Sequence, residues 1–187
     1  VWGPVARLAV GGLLGPTGAA FFRIGTALAD SAQKPADLLG KAFYPEVVRM
    51  DLASKKPWRL MLRVAALSSI IAAIAILILV VGGKPLIALL FGDEFLGAYE
   101  PLLILMGVPL ISVISFPLAP MLYALGKAGA PLRAKIVASL VFFGLLAPLC
   151  WEYGVAGAAA AMVIAMAVNA LVMVVQVVQQ YRRVRVK

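Results

Sequence analysis

Five ionisable residues recur at helical spacing near the start of the chain. Their side chains can bind charged ligands or exchange protons. They are Arg23, Asp30, Lys34, Asp37 and Lys41, and their separations are 7, 4, 3 and 4 residues. At about 3.6 residues per helical turn, this spacing puts all five on one face, with Thr26 and Gln33 on or beside it. In the pairs Asp30–Lys34 and Asp37–Lys41 the acid precedes the base by four residues, which is the favoured order for a helical ion pair.

This charged face predicts one wall of a water-filled path through a membrane. Each charge at the centre of a bilayer costs about 2.5–3.5 kcal/mol on insertion scales, so a stripe that faced lipid would keep the helix out of the membrane. Pro35 lacks the N–H that would bond the Ser31 carbonyl, so we expect a kink and a hinge at that turn. The five charged residues, Thr26 and Gln33 are therefore predicted to line a cavity.

The alternative for this segment is an amphipathic helix that lies on the cytoplasmic surface. In that case residues 8–22 would form a short span before it. Such a span has only about 15 residues, whereas a helix needs about 20 to cross the hydrocarbon layer. The cavity interpretation fits the lengths better.

The composition excludes most enzyme chemistry. The chain has no His, one Cys and eight carboxylates. It therefore has no imidazole for acid–base catalysis, no Cys/His zinc cluster and no internal disulfide, and any metal would need oxygen ligands. We expect a protein that is not an enzyme and that carries no cofactor.

The apolar content predicts several membrane spans. Of the 187 residues 64% are apolar and 13% are charged, against about 45–50% and about 25% in a soluble domain. The fold expected is an all-α, polytopic transmembrane bundle, a single unit of about six helices. Its approximate helices are 1–14, which is the tail of a truncated helix, 17–50, 58–83, 98–126, 131–152 and 154–181. The start at Val1, without an initiator Met, indicates a fragment.

Basic residues in the short connections predict the orientation. Alternate connections between spans lie on the same side of a membrane. Twelve basic residues lie around three alternate connections, before residue 64, after residue 126 and in the C-terminal tail, whereas only Lys84 lies around the connections between them. Because Lys and Arg accumulate on the cytoplasmic side, the C-terminus is predicted to be cytoplasmic. The net charge of +9 is then mostly a topology signal, and no nucleic-acid partner is expected.

Polar and proline residues in later spans give weaker predictions. Asn169 lies in the middle of the last span, where it either lines the cavity or bonds a neighbouring helix. Pro109 and Pro117 interrupt the span over 98–126, so they are either hinges beside the cavity or sites of irregular packing.

Four short strings carry a family resemblance. They are Leu13-Leu14-Gly15 leading to Gly18-Ala19, Ala42-Phe43-Tyr44-Pro45 before a basic loop, Leu90-Phe91-Gly92-Asp93-Glu94-Phe95 before a proline-bearing helix, and Tyr153-Gly154-Val155-Ala156-Gly157-Ala158-Ala159. In order and separation they resemble the polysaccharide-unit flippases of the multidrug, oligosaccharidyl-lipid and polysaccharide exporter superfamily. The resemblance covers nearly the whole chain and implies the C-terminal half of a twelve-helix, two-bundle exporter, whose N-terminal half is missing.

The resemblance implies a transporter of the bacterial cytoplasmic (inner) membrane. It would flip an undecaprenyl-diphosphate-linked oligosaccharide between leaflets by alternating access, with membrane lipids and the missing half as its other partners. Arg23, Lys34 and Lys41 would then contact phosphate oxygens through charge-assisted hydrogen bonds. Coupling to H⁺ or Na⁺ would need a carboxylate that changes partners, and Asp30 or Asp37 is available.

Three other functions remain open from the sequence. A cation-coupled multidrug exporter of the same superfamily would favour an acidic, aromatic cavity. A membrane-embedded glycosyl or phosphate transferase would need clustered carboxylates, but the one close acidic pair, Asp93-Glu94, lies in a short connection. A non-transporting assembly subunit would bury the charged face in dry helix contacts.

Overall fold

The protein is a bundle of helices. The computed structural model describes residues 3–50 and 56–186, apart from the side chains of 3–4, 32, 35–37, 39–40, 42–44, 46, 75, 79, 86, 90–91, 94–95, 98 and 183–186. Its elements are α1 (Gly3–Val48), α2 (Lys56–Phe91), a 3₁₀ helix (Asp93–Ala98), α3 (Tyr99–Leu105), α4 (Gly107–Ser115), α5 (Leu118–Ala124) and α6 (Gly129–Val186). Among the described residues there is no strand, which confirms the all-α class.

Helix α1 folds back on itself at Gly15. This residue has φ 72° and ψ −174°, a conformation that a side chain with a Cβ rarely adopts. The two arms of α1 then pack closely, since a Cβ on Gly11 would lie 3.5 Å from the Ala19 Cβ. In a straight helix these residues would be about 12 Å apart. The Gly15–Pro16 pair thus separates a short arm, before residue 15, from a long arm that carries the predicted charged face.

Helix α6 is a second hairpin, broken at Gly154. Gly154 has φ 56° and ψ −131°, and the 58 residues of α6 would otherwise form one rod far longer than a bilayer is thick. The two arms approach so closely that a Cβ on Gly157 would collide with the Leu149 carbonyl oxygen. Small residues in the second arm allow this approach.

The segment from Tyr99 to Ala124 is divided into three short helices. Turns at Met106 and at Phe116–Pro117 separate α3, α4 and α5. Pro109 lies in the first turn of α4, and Pro117 immediately precedes α5. Each proline lacks an N–H, so the carbonyl four residues earlier loses its helical partner. This is the physical reason why residues 98–126 do not form the single regular helix expected.

Helix α2 extends past residue 83, where the sequence predicts its end. It continues through Lys84 and Pro85 to Phe91. The extension places Ile87 in the core, where it is fully buried, and this burial favours the longer helix. Most of the remaining surface of α2 is apolar and exposed, including Leu67, Ile71 and Leu77.

Two buried clusters mark the two ends of the bundle. One joins Val47, Trp58, Met121 and Val177 with their neighbours, and the Trp58 and Tyr181 rings lie 4.5 Å apart at the same end. We call this the basic end, because the turn at 126–129 and the C-terminal residues of α6 lie there. The other cluster joins Phe22, Leu102, Phe142 and Ala158 with their neighbours, and it marks the opposite end.

The bundle has the dimensions of a membrane domain. Within the residues that the structure describes, four stretches of helix are long and apolar enough to cross a membrane: Val5–Ser31, Lys56–Ile78, Tyr99–Ala124 and Gly129–Arg182. The long arm of α1 runs the length of the bundle, from Gly18 beside Val155 to Val47 in the cluster of the basic end. It therefore does not lie apart from the bundle as a separate surface helix.

Candidate substrate cavity

A cavity of about 1120 Å³ opens between α1, α4, α5 and both arms of α6. It is called the main cavity below. Its polar lining residues come from all of these elements, and the rest of its wall is aliphatic, aromatic or proline. The lining consists of Gln33, Lys41, Ser112, Ser115, Phe116, Ala119, Pro120, Tyr123, Ala128, Pro131, Leu132, Lys135, Met166, Asn169 and Met173.

Two lysines lie at one level of the main cavity, near the basic end. Lys41 lies seven residues before the end of α1, and Lys135 lies six residues after the start of α6. At the rise of a helix both are about 10 Å from that end of the bundle. Both side chains are exposed, and neither forms an ion pair with a described carboxylate. Both ammonium groups therefore line the part of the cavity nearest this end.

Neutral polar side chains lie deeper in the same cavity. Gly107 packs on Val163, where an added Cβ would lie 3.0 Å from the Val163 Cγ1. Ser112 and Asn169 follow these two residues by five and six positions on helices that run in the same direction, so they stand at the same depth. That depth is about 18 Å from the basic end, counted along the helices. Gln33 reaches the cavity from α1 at a similar depth.

The two serines of α4 that line the cavity differ in their hydrogen bonds. Ser115 donates to the Ile111 carbonyl oxygen at 2.7 Å. Ser112 is only 6% exposed, and its hydroxyl has no hydrogen-bond partner among the described residues. A buried hydroxyl without a partner is costly, so the Ser112 side chain is the polar group of this cavity most in need of a ligand.

Four of the residues predicted to line the path have described side chains and do not border the main cavity: Arg23, Thr26, Asp30 and Lys34. Arg23 and Lys34 are exposed. Thr26 is buried and its hydroxyl donates to the Arg23 carbonyl oxygen at 3.1 Å, within its own helix. Asp30 bonds Arg7 across the α1 hairpin at 3.2 Å, and both side chains are partly exposed. The expected Asp30–Lys34 pair is therefore wrong, because folding at Gly15 brings a guanidinium to Asp30.

Two further predictions fall on side chains outside the described set. Asp37 and Pro35 lie in the long arm of α1, and the helix continues through both positions. The Asp37–Lys41 pair and the hinge at Pro35 stay predictions. Pro109 and Pro117 stand at or beside interruptions of the helix, as described above, while their action as hinges also stays a prediction.

Lys135 is a cavity residue that sequence reasoning did not select, because it looked like one more basic residue of a cytoplasmic connection. Ser112 and Tyr123 belong to the span over 98–126, for which the sequence leaves a cavity-lining role open beside irregular packing. A usable signal existed for Lys135, because it lies eight residues beyond Lys127 and inside the helix predicted over 131–152. A basic residue that only fixes the orientation of the chain would lie in the connection, whereas Lys135 lies within the span itself.

The lining is suited to binding rather than to bond chemistry. Among the described lining residues there is no carboxylate and no cysteine. No group of three or more His, Cys, Asp or Glu that could hold a metal occurs in the described part of the chain. The cavity offers two cations, one phenol, two amides and a free hydroxyl, which are groups that bind phosphate and hydroxyl-rich ligands.

A comparison with known proteins finds one partial relative. Over 91 residues, 49% of this chain, the sequence is 44% identical to the inner membrane protein YghQ of Escherichia coli (strain K12). The match spans about a quarter, 26%, of that relative's length. No protein family matches the chain by its sequence profile, and no solved structure matches it. The similarity and the apolar helices together place this chain among membrane-embedded proteins.

Proposed function

We propose that the chain is part of a transporter that moves a polyprenyl-diphosphate-linked oligosaccharide across the bacterial cytoplasmic membrane by alternating access. The observation that carries the proposal is the main cavity, which has two lysines, neutral hydrogen-bonding groups and no carboxylate among its described lining. A head group that carries phosphates and sugars matches this set of groups. The name of the partial relative, an inner membrane protein, supports the location.

Lys41 and Lys135, which we call the lysine level, support the binding of a ligand with negative charge. A diphosphate that leaves water loses many hydrogen bonds, and ammonium groups replace them as charge-assisted donors. Lys41 and Lys135 come from different helices, so they approach the cavity from two sides. A phosphate group at this level can accept a hydrogen bond from each of the two ammonium groups.

The outer surface of the bundle supports a lipid tail. Helix α2 exposes a run of large aliphatic side chains, including Leu62, Ile70, Ile74 and Ile78. In a membrane these side chains contact acyl or prenyl chains at no cost. The head group can therefore stay in the polar cavity while the polyprenyl tail stays in lipid. This separation is what a flippase must provide.

A multidrug exporter is less well matched by the same cavity. Phe116 and Tyr123 supply aromatic surface that such a protein would use. A cationic drug also needs a carboxylate, and none lines the described cavity. Two lysines would repel a cationic drug.

A reconstitution assay tests the proposal. The full chain is placed in proteoliposomes that contain a fluorescent polyprenyl-diphosphate disaccharide, and transfer between leaflets is followed with a lectin that cannot cross the membrane. Transfer above that of protein-free liposomes is expected for this lipid. Equal rates with and without the protein would refute the function.

A second arm of the assay separates the competing transport function. The same proteoliposomes are loaded with ethidium, a cationic drug, and its release is followed by fluorescence. We expect no release above background. Release of ethidium without transfer of the lipid would assign the chain to drug export.

A further inference from the structure

The deep part of the main cavity contains a buried hydroxyl that no described residue bonds. Ser112 Oγ is buried and lacks a hydrogen-bond partner among the described residues. Ser115, one turn further along α4, already donates to its own helix, as buried serines usually do. Ser112 has the same option with the carbonyl four residues earlier, and the structure does not take it. Ser112 lines the main cavity, so a rotation of its side chain would offer this hydroxyl to a ligand there.

Two amides stand at the same depth as this hydroxyl. Gln33 approaches from α1 and Asn169 from the second arm of α6, and neither forms a side-chain hydrogen bond with a described residue. We call Gln33, Ser112 and Asn169 the neutral floor. An amide both donates and accepts, as does a hydroxyl, so the floor complements a ligand whose own groups are hydroxyls or amides.

No charged side chain reaches the neutral floor among the described lining residues. The two lysines of the cavity lie about one and a half helical turns or more nearer the basic end. A carboxylate at the floor would lose its water without gaining an opposite charge from a described lining residue, and this loss is costly. The floor therefore discriminates against anionic ligands, whereas the lysine level favours them.

We infer that the neutral floor binds an uncharged sugar ring, with or without an acetamido group, while the lysine level binds the phosphate attached to it. This inference rests on the proposed function and adds to it the class of the sugar that follows the diphosphate. Sugar hydroxyls donate to the amide oxygens and accept from the Ser112 hydroxyl and the amide N–H groups. Substrates with a uronic acid at this first position are excluded.

Binding measurements with three lipids test the inference. The full chain in nanodiscs is titrated with undecaprenyl diphosphate, with the same lipid carrying N-acetylglucosamine, and with the same lipid carrying glucuronic acid. The N-acetylglucosamine lipid is expected to bind about tenfold more tightly than the bare lipid, as one or two net hydrogen bonds would give. The glucuronic acid lipid is expected to bind no more tightly than the bare lipid.

Matched serine variants locate the effect. Ser112→Ala is expected to remove most of the gain from the sugar, measured as the ratio of the affinities for the sugar-bearing lipid and the bare lipid. Asn169→Ala is expected to act in the same direction. Ser115→Ala is the control, because the Ser115 hydroxyl bonds its own helix, and it should keep the full gain.

The outcomes of these titrations separate failure of the neutral floor from failure of the proposed function. Binding of the bare lipid with no gain from N-acetylglucosamine would overturn the neutral floor and leave the proposed function standing. An equal gain in wild type and Ser112→Ala would do the same, as would a gain with glucuronic acid. Failure of all three lipids to bind would overturn both proposals.

Discussion

Removing the charge of Lys41 should weaken binding of a polyprenyl diphosphate, whereas removing that of Lys34 should not. The two lysines lie on the same helix, seven residues apart, and both are exposed, but only Lys41 lines the main cavity. This pair therefore separates the cavity seen in the structure from the charged face predicted from the sequence. Lys34→Ala is the matched control for Lys41→Ala.

The magnitude follows from the contact that is lost. A hydrogen bond to a charged group contributes about 1.5–3 kcal/mol, and the lower end applies because Lys41 is exposed and screened by solvent. A loss of about 1.4 kcal/mol is about tenfold in Kd. Lys135→Ala should have a similar effect. The double variant should lose about 100-fold if the two contacts are independent.

Isothermal titration of undecaprenyl diphosphate into nanodiscs measures these effects directly. Rising salt should reduce the wild-type affinity more than that of the double variant, because screening acts on the charges that the variant lacks. Equal affinities for wild type and Lys41→Ala would refute the role of the lysine level. A larger loss in Lys34→Ala than in Lys41→Ala would favour the charged face predicted from the sequence.

Three predictions concern the bundle that holds the cavity, and thermal unfolding in detergent measures each of them. Trp58→Ala should lower the free energy of unfolding by about 3 kcal/mol, because Trp58 is buried at the basic end. Trp151→Ala, at an exposed position, should lower it by less than about 1 kcal/mol. Equal losses in the two variants would contradict the buried core. Gly157→Ala should lower the free energy of unfolding by at least about 2 kcal/mol, because the added Cβ collides with the facing backbone. Gly144→Ala should be neutral or stabilising, because the space beside Gly144 is open. Asp30→Asn should cost less than about 1 kcal/mol, since its ion pair is partly exposed, and a larger loss would give that pair a structural role.

The helical class could be predicted from the sequence because it depends on local properties. Long apolar runs predict spans, and a Gly–Pro pair indicates a break, which the structure has at Gly15. The partners of Asp30 could not be predicted in the same way. Helical spacing brings Lys34 within reach, but the hairpin at Gly15 adds Arg7 as a competitor from 23 residues away. A local rule does not contain that contact.

The cavity lining depends on the rotation of each helix, which packing decides. The spacing of the charged residues gives one face of α1, and among the side chains described on that arm the cavity takes only Gln33 and Lys41. Its other polar members come from α4, α5 and both arms of α6. Their rotation is set by close contacts such as Gly107 on Val163, which the sequence of one helix does not reveal. Site residues were therefore harder to predict than spans.

The close packing beyond the neutral floor determines what alternating access would require. Gly25 and Gly107 lie between the floor and the opposite end, and an added Cβ would lie 2.6 Å from Leu105 Cδ1 at the first and 3.0 Å from Val163 at the second. Leu102 and Leu105 are fully buried there. The main cavity extends to Ala128 in the turn of the basic end, so the structure is open toward the basic end and closed toward the other. A head group that leaves at the opposite end must separate these contacts, and their lack of polar groups means that parting them breaks no hydrogen bond. The free-energy cost of opening is then the exposure of apolar surface. A sugar-bearing ligand in the gap between these residues would not offset that cost. The closed packing should therefore return once the ligand has left.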